Sequence, residues 1–148
     1  MKKFMNHNER IFVRSFPGAT VEDMADHVKP SLRHSPDLLV LHAGTNDLRS
    51  EMPAKRIADN IVKLALEMKS DSNDVMISSL IGRADDENLH LKSLEVNNIL
   101  VDECNRYSLF FINNNNIDPS QHLNGGGLHL NYDGTDKLTK NFLESIRI

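Results

Sequence analysis

Short apolar runs and longer helical stripes take turns along this chain. Leu38-Leu39-Val40-Leu41 is unbroken and apolar, bounded by Pro36-Asp37 before it and a glycine turn after it. A run that short predicts a strand buried on both faces, as in a parallel sheet. Ile11–Val13, Val75–Ile77 and Leu109–Ile112 predict three more strands of the same kind. Between them, apolar positions recur at helical spacing. Val21, Met24, Ala25, Val28 and Leu32 form one stripe, opened by Thr20 as N-cap with Glu22 and Asp23 where the helix dipole favours acids. Pro30 removes a backbone donor and predicts a kink or an early end. Pro53 suits a helix start, and Ile57, Ile61, Leu64, Ala65 and Met68 follow it as a second stripe. A third helix is predicted over about residues 89–106 with Leu91, Leu94, Val101 and Cys104 inward. Leu138, Phe142 and Ile146 close the chain on a last helix. Strand and helix in alternation predict an α/β fold: a three-layer parallel sheet with helices on both faces, joined by right-handed crossovers.

Composition narrows the function classes. The 148 residues suffice for one domain with a real core, and 39% hydrophobic with 26% charged residues is ordinary for a globular protein. Residues 1–9 are polar and of both charge signs, and read as a frayed start; residues 10–148 read as the domain. A formal charge of −4 gives no nucleic-acid signal, since such a binder would carry a basic stripe. No apolar run approaches the ~20 residues of a membrane span, and the N-terminus has no signal-peptide core. One cysteine, Cys104, forbids an internal disulfide and fits a reducing, cytoplasmic compartment. Trp is absent and aromatics are sparse, which leaves stacking platforms poor.

The candidate chemistry sits just after Leu41. Gly44-Thr45-Asn46-Asp47 is a small polar turn delivered to the carboxyl edge of the sheet, where open α/β sheets place their ligands. Strand-G-x-N-D resembles the third signature block of the SGNH (GDSL-type) hydrolases, a superfamily of esterases, lipases and acyl-group hydrolases. The resemblance implies that Asn46 and Gly44 belong to an oxyanion hole, and that Gly18, matching the second block, supplies a further backbone donor. Donors fixed on a rigid frame face developing negative charge with little reorganisation, each worth roughly 10²–10³ in rate. His129, between the last loop and the last helix, matches the fifth-block histidine and would be the general base. The text Gly127-Leu128-His129-Leu130-Asn131-Tyr132-Asp133-Gly134 also resembles the ending of esterase-like domains of animal mobile elements. The implied function is acyl-ester hydrolysis of a small-molecule ester, without a cofactor. Asn46 capping its own turn is the competing reading of that block.

Two parts of the family pattern are missing. The family's serine lies in a Gly-Asp-Ser block after the first strand, and no Gly-Asp-Ser occurs here. The Ile11–Val13 segment already leads into the second block, so the first strand and its serine are expected upstream of Met1, in a truncated copy of the domain. In a flavodoxin-like order, 2-1-3-4-5, that strand is interior, and its loss exposes the edges of its two neighbours. Ser15, just before the Gly18 turn, is the one serine placed to stand in; a Ser–His pair must lie within hydrogen-bond reach. The family's acid, three residues before the histidine, is replaced by Gly126, with Asp118 and Asp133 nearby at other spacings. These gaps leave a non-catalytic binding or scaffold domain as the alternative.

The remaining candidates are weaker. The seven histidines contain no metal-ligand pair such as H-E-x-x-H, and only His122 and His129 share a loop. His42, just past a buried strand, reads as a hydrogen-bonded structural residue. Gly125–Gly127 lacks the Lys-Ser/Thr of a phosphate loop and reads as the flexible carrier of His129. Cys104 reads as a small core residue.

Overall fold

The computed structural model describes residues 11–146. Its centre is a parallel sheet of three strands, β1 (Leu38–Leu41), β2 (Asp74–Ser78) and β3 (Phe110–Ile112), in the order β1-β2-β3. Leu39 pairs with Val75, and Met76 with Phe110. Side chains alternate across a sheet. Leu41, Val75 and Ile77 therefore face one way, into a core shared with α3 (Ala54–Met68) and α4 (Glu87–Tyr107). His42 and Ser78 face the other way, towards α5 (Tyr132–Ile146), whose Phe142 ring meets the His42 ring edge-on at 6.1 Å. Helices thus cover both faces of the sheet.

The helix signals act locally as expected. Thr20 and Asp23 form a reciprocal capping box on α1 (Val21–His27), and α2 (Lys29–Leu32) restarts with Pro30 in its first turn. The predicted stripe of α3 is buried throughout. Among the described residues, no helix is long and apolar enough to cross a membrane.

Two expectations are corrected. Ile11–Val13 forms no strand: Phe12 is 78% exposed and its ring lies 6.4 Å from that of His34. A strand needs a ladder, and among the described residues these three have no strand beside them. On α4 the inward face is Ser93, Val96, Leu100 and Cys104, whereas Leu91, Leu94 and Val101 point outward. Polar side chains set that phase. Asn97 clamps the backbone of Leu80 in both directions, accepting from its N–H at 2.7 Å and donating to its carbonyl at 2.9 Å. Ser93 donates to the His90 carbonyl at 2.6 Å. Each satisfies its own hydrogen bonds, so burial costs little. The expected first strand and the residues 1–9 fall outside the described residues.

Candidate functional site

The site begins with two turns that the chain brings together. Phe16-Pro17-Gly18-Ala19 is a tight turn, closed by the Ala19 N–H on the Phe16 carbonyl at 3.1 Å. Proline presets its second position, and Gly18 takes the positive φ (+77°) that its third position requires. The second turn is a 3₁₀ helix over Thr45–Arg49 that Gly44 opens at φ +116°. Lys92 of α4 holds its far end by donating to the carbonyls of Leu48 and Ser50, at 3.1 and 3.0 Å.

Asn46 and Asp47 tie the turns to each other. Asn46 Nδ2 donates to the Ala19 carbonyl at 2.9 Å, across 27 residues of chain, rather than to its own turn. The Asp47 carboxylate, 3% exposed, accepts from the Val21 N–H at 3.1 Å and so also caps α1. Burial pushes the Asp47 carboxyl above its ordinary value, with the Val21 N–H pulling the other way. The sequence shows Asp47 as the last residue of the turn motif but not its role, because its partner is a backbone amide distant along the chain. Around this clasp the Gly18 turn is exposed, Asn46 is exposed and Gly44 is buried. A second Nδ2 hydrogen of Asn46 remains after the Ala19 bond. The arrangement places amide donors on a rigid frame at the carboxyl edge, suited to a carbonyl oxygen or an anion.

His129 lies on a neighbouring loop. Leu123 and Leu130 bridge across it, and the Asn124 N–H donates to the His129 carbonyl at 2.7 Å. The ring itself is exposed, and among the described residues neither Asp118 nor Asp133 hydrogen-bonds to it. Asp118 instead accepts from Ser120, backbone and hydroxyl, at 2.8 and 2.7 Å. Asp133 is an exposed acid in the first turn of α5.

A loop at residues 83–85 connects the two halves. Arg83, with a side chain 2% exposed, forks onto Asp85 through Nε at 2.9 Å and Nη2 at 2.6 Å. Its Nη1 donates to the Thr45 carbonyl at 3.3 Å, and the next residue, Ala84, donates its N–H to Gly127 at 2.8 Å. Arg83 therefore touches the Asn46 turn while its neighbour holds the glycine run that leads to His129. The fork, with Arg49 at 3.3 Å, holds the Asp85 carboxyl well below the usual carboxylate range. In the sequence, the Arg-x-Asp spacing is the only signal of Arg83. Ser15 is exposed and has no hydrogen-bond partner among the described residues, so it is not held against His129.

Comparison with known proteins agrees with this architecture. The family model for GDSL-like lipase/acylhydrolase matches residues 3–137. A solved member of the lipolytic G-D-S-L family from Veillonella parvula superposes with a TM-score of 0.71 at 21% identity, covering 86% of this chain and 74% of that one. The lipase/acylhydrolase from Enterococcus faecalis gives 0.75 at 20% identity, over 87% and 71%. An acetylxylan esterase from Geobacillus stearothermophilus gives 0.71 at 16%, over 87% and 68%. No curated protein matches the sequence significantly. With the family model spanning nearly the whole chain and the three-stranded α/β frame in place, the chain belongs to the GDSL-like lipase/acylhydrolase family.

Proposed function

We propose that the site is built for the carbonyl of a small-molecule acyl ester, and that these 148 residues bind such a carbonyl without hydrolysing it. The supporting observation is the clasp of Asn46 on Ala19, which sets the Asn46 amide beside the Gly18 turn. In the reaction of this architecture, the Gly18 N–H and the Asn46 Nδ2–H hold the oxygen as it gains charge, and Gly44 positions the Asn46 turn. His129 takes the proton of the attacking hydroxyl and returns it to the leaving alcohol. That hydroxyl belongs to a Gly-Asp-Ser serine, and the sequence contains none. The gap favours a binding or scaffold role for the sequence as it stands, in a reducing, cytoplasmic setting.

The test is p-nitrophenyl acetate hydrolysis by the folded chain beside His129→Ala, with fluorophosphonate labelling. Equal background rates and no label are expected. Hydrolysis that falls on His129→Ala, or a labelled serine, would overturn the proposal and make Ser15 the next residue to change. The binding half is read from amide signals during titration with a short-chain acyl ester. The Asn46 side-chain signal is expected to shift in the parent chain, and Asn46→Ala to bind at least about tenfold more weakly.

A further inference from the structure

A second polar system crosses the carboxyl ends of all three strands, on the α5 side of the sheet, and the site above does not use it. It contains His42 after β1, Ser78 and Ser79 at the end of β2, Asn114 after β3, and Asn141 on α5. Ser78, Ser79 and Asn114 are 1%, 1% and 3% exposed.

The direction of its hydrogen bonds is fixed from one end. Asn114 Nδ2 lies 2.8 Å from the Ser79 carbonyl, which only accepts. The Asn114 amide is thereby oriented with nitrogen towards β2. Its Oδ1 then accepts from Asn141 Nδ2 at 3.0 Å, and its remaining Nδ2 hydrogen goes to Ser78 Oγ at 2.8 Å. The Ser79 hydroxyl is occupied separately, accepting from the Asn114 N–H at 2.9 Å. Ser78 Oγ has one further neighbour, His42 Nδ1, at 2.8 Å. The buried Ser78 hydroxyl hydrogen needs an acceptor, and among the described residues that nitrogen is the partner left to take it. Nδ1 is then an acceptor, and the proton of the neutral ring sits on Nε2.

We propose that His42 is an acid-sensing switch: its protonation reverses the polarity of this chain and loosens α5 from the sheet beside the Gly44 turn. A doubly protonated ring donates from Nδ1, so the buried Ser78 hydrogen loses its acceptor. It regains one only if the Asn114 amide turns over. That turn sets Oδ1 against the Ser79 carbonyl, and it keeps the bond to α5 only if Asn141 and its reciprocal partner Asn116, paired at 2.9 and 2.8 Å, turn over with it.

Among the described residues, no charged side chain hydrogen-bonds to the His42 ring. α5 presents Phe142 to the ring and Asn141 to the chain. Its charged groups, Asp133, Asp136, Lys137, Lys140 and Glu144, line a cleft that Asn141 also borders, and Lys140 pairs with Asp136 at 2.9 Å. β2 presents the uncharged Ser78, and Asp47 of the adjoining turn faces Val21. Desolvation lowers the His42 pKa.

The experiment is nitrogen-detected NMR of the imidazoles in the full chain, from pH 7.5 to 4. His42 is expected as the Nε2–H tautomer at neutral pH, titrating at least about one unit below an ordinary histidine. The side-chain amide signals of Asn114 and Asn141 are expected to change with the same midpoint. Ser78→Ala removes the acceptor conflict, so His42 is expected to titrate at least about half a unit higher there, with the amide signals uncoupled from it. His122 serves as an internal control, since its Nδ1 already accepts from the Asp118 N–H at 2.7 Å. The proposal is overturned by an Nδ1–H tautomer at pH 7.5, by an ordinary His42 titration, or by amide signals that ignore it. The tautomer reading stands on the parent chain alone if Ser78→Ala fails to fold.

Discussion

Gly44→Ala is expected to destabilise the fold by about 2–6 kcal/mol, the combined scale of a forced left-handed backbone and an overfilled core. At φ +116° an L side chain is strained wherever it sits. Here it also has no room, because a Cβ would stand 2.9 Å from Ile61 Cδ1 and 3.3 Å from Leu80 Cδ1. Both contacts are the ends of buried core side chains, so relief comes by repacking them or by shifting the turn, and a shifted turn draws Asn46 away from Ala19. Gly18→Ala separates the two causes. It too has positive φ, at +77°, but a Cβ there meets nothing within 4 Å, so only the strain of about 1–3 kcal/mol applies. Urea denaturation of the two variants checks this; equal losses would mean that the Gly44 pocket yields easily.

Arg83→Ala is expected to cost about 3 kcal/mol, the low end for severing a buried pair, because Asp85 keeps 15% exposure and Arg49 within 3.3 Å. Arg83→Lys recovers only part of this, since an ammonium cannot fork onto a carboxylate. The loss has a definite pH dependence. Asp85 titrates below its ordinary value in the fold, so its pairing contributes fully above the unfolded carboxylate value of about 3.9. It fades as pH falls through the lower, folded value. The stability gap between parent and variant should therefore hold from pH 7 to about 4 and narrow below that. Asp47 carries the opposite sign: its raised pKa means that its burial is least costly in acid. Paired urea midpoints at pH 7, 4 and 3 decide it, and a gap already closing at pH 5 would contradict the fork.

What the sequence revealed follows from the range of each interaction. The strands at residues 38–41 and 74–78 and the stripe of α3 are local patterns, and they were legible. α4 was misphased because its inward face carries Ser93 and Asn97, whose burial depends on partners elsewhere. Ile11–Val13 has strand composition, yet composition cannot supply a neighbouring strand. In the site, the turn glycines and Asn46 stood out through their resemblance to the signature blocks of the SGNH family. Asp47, Arg83 and Asn114 did not show their roles. Each acts on a backbone atom or side chain remote in sequence, and Asn114 was further hidden in a run of four asparagines that reads as a turn.

Cys104 gives the molecule a built-in clock. Its thiol is 1% exposed on the inner face of α4, against the core shared with α3, and burial with Glu103 nearby pushes its pKa up to about 11. At neutral pH the folded chain therefore presents almost no thiolate and no path to one. It is also the sole cysteine, so any alkylation is a single, unambiguous event. The rate at which a small maleimide modifies the chain then reads how often α4 parts from α3, without any introduced label.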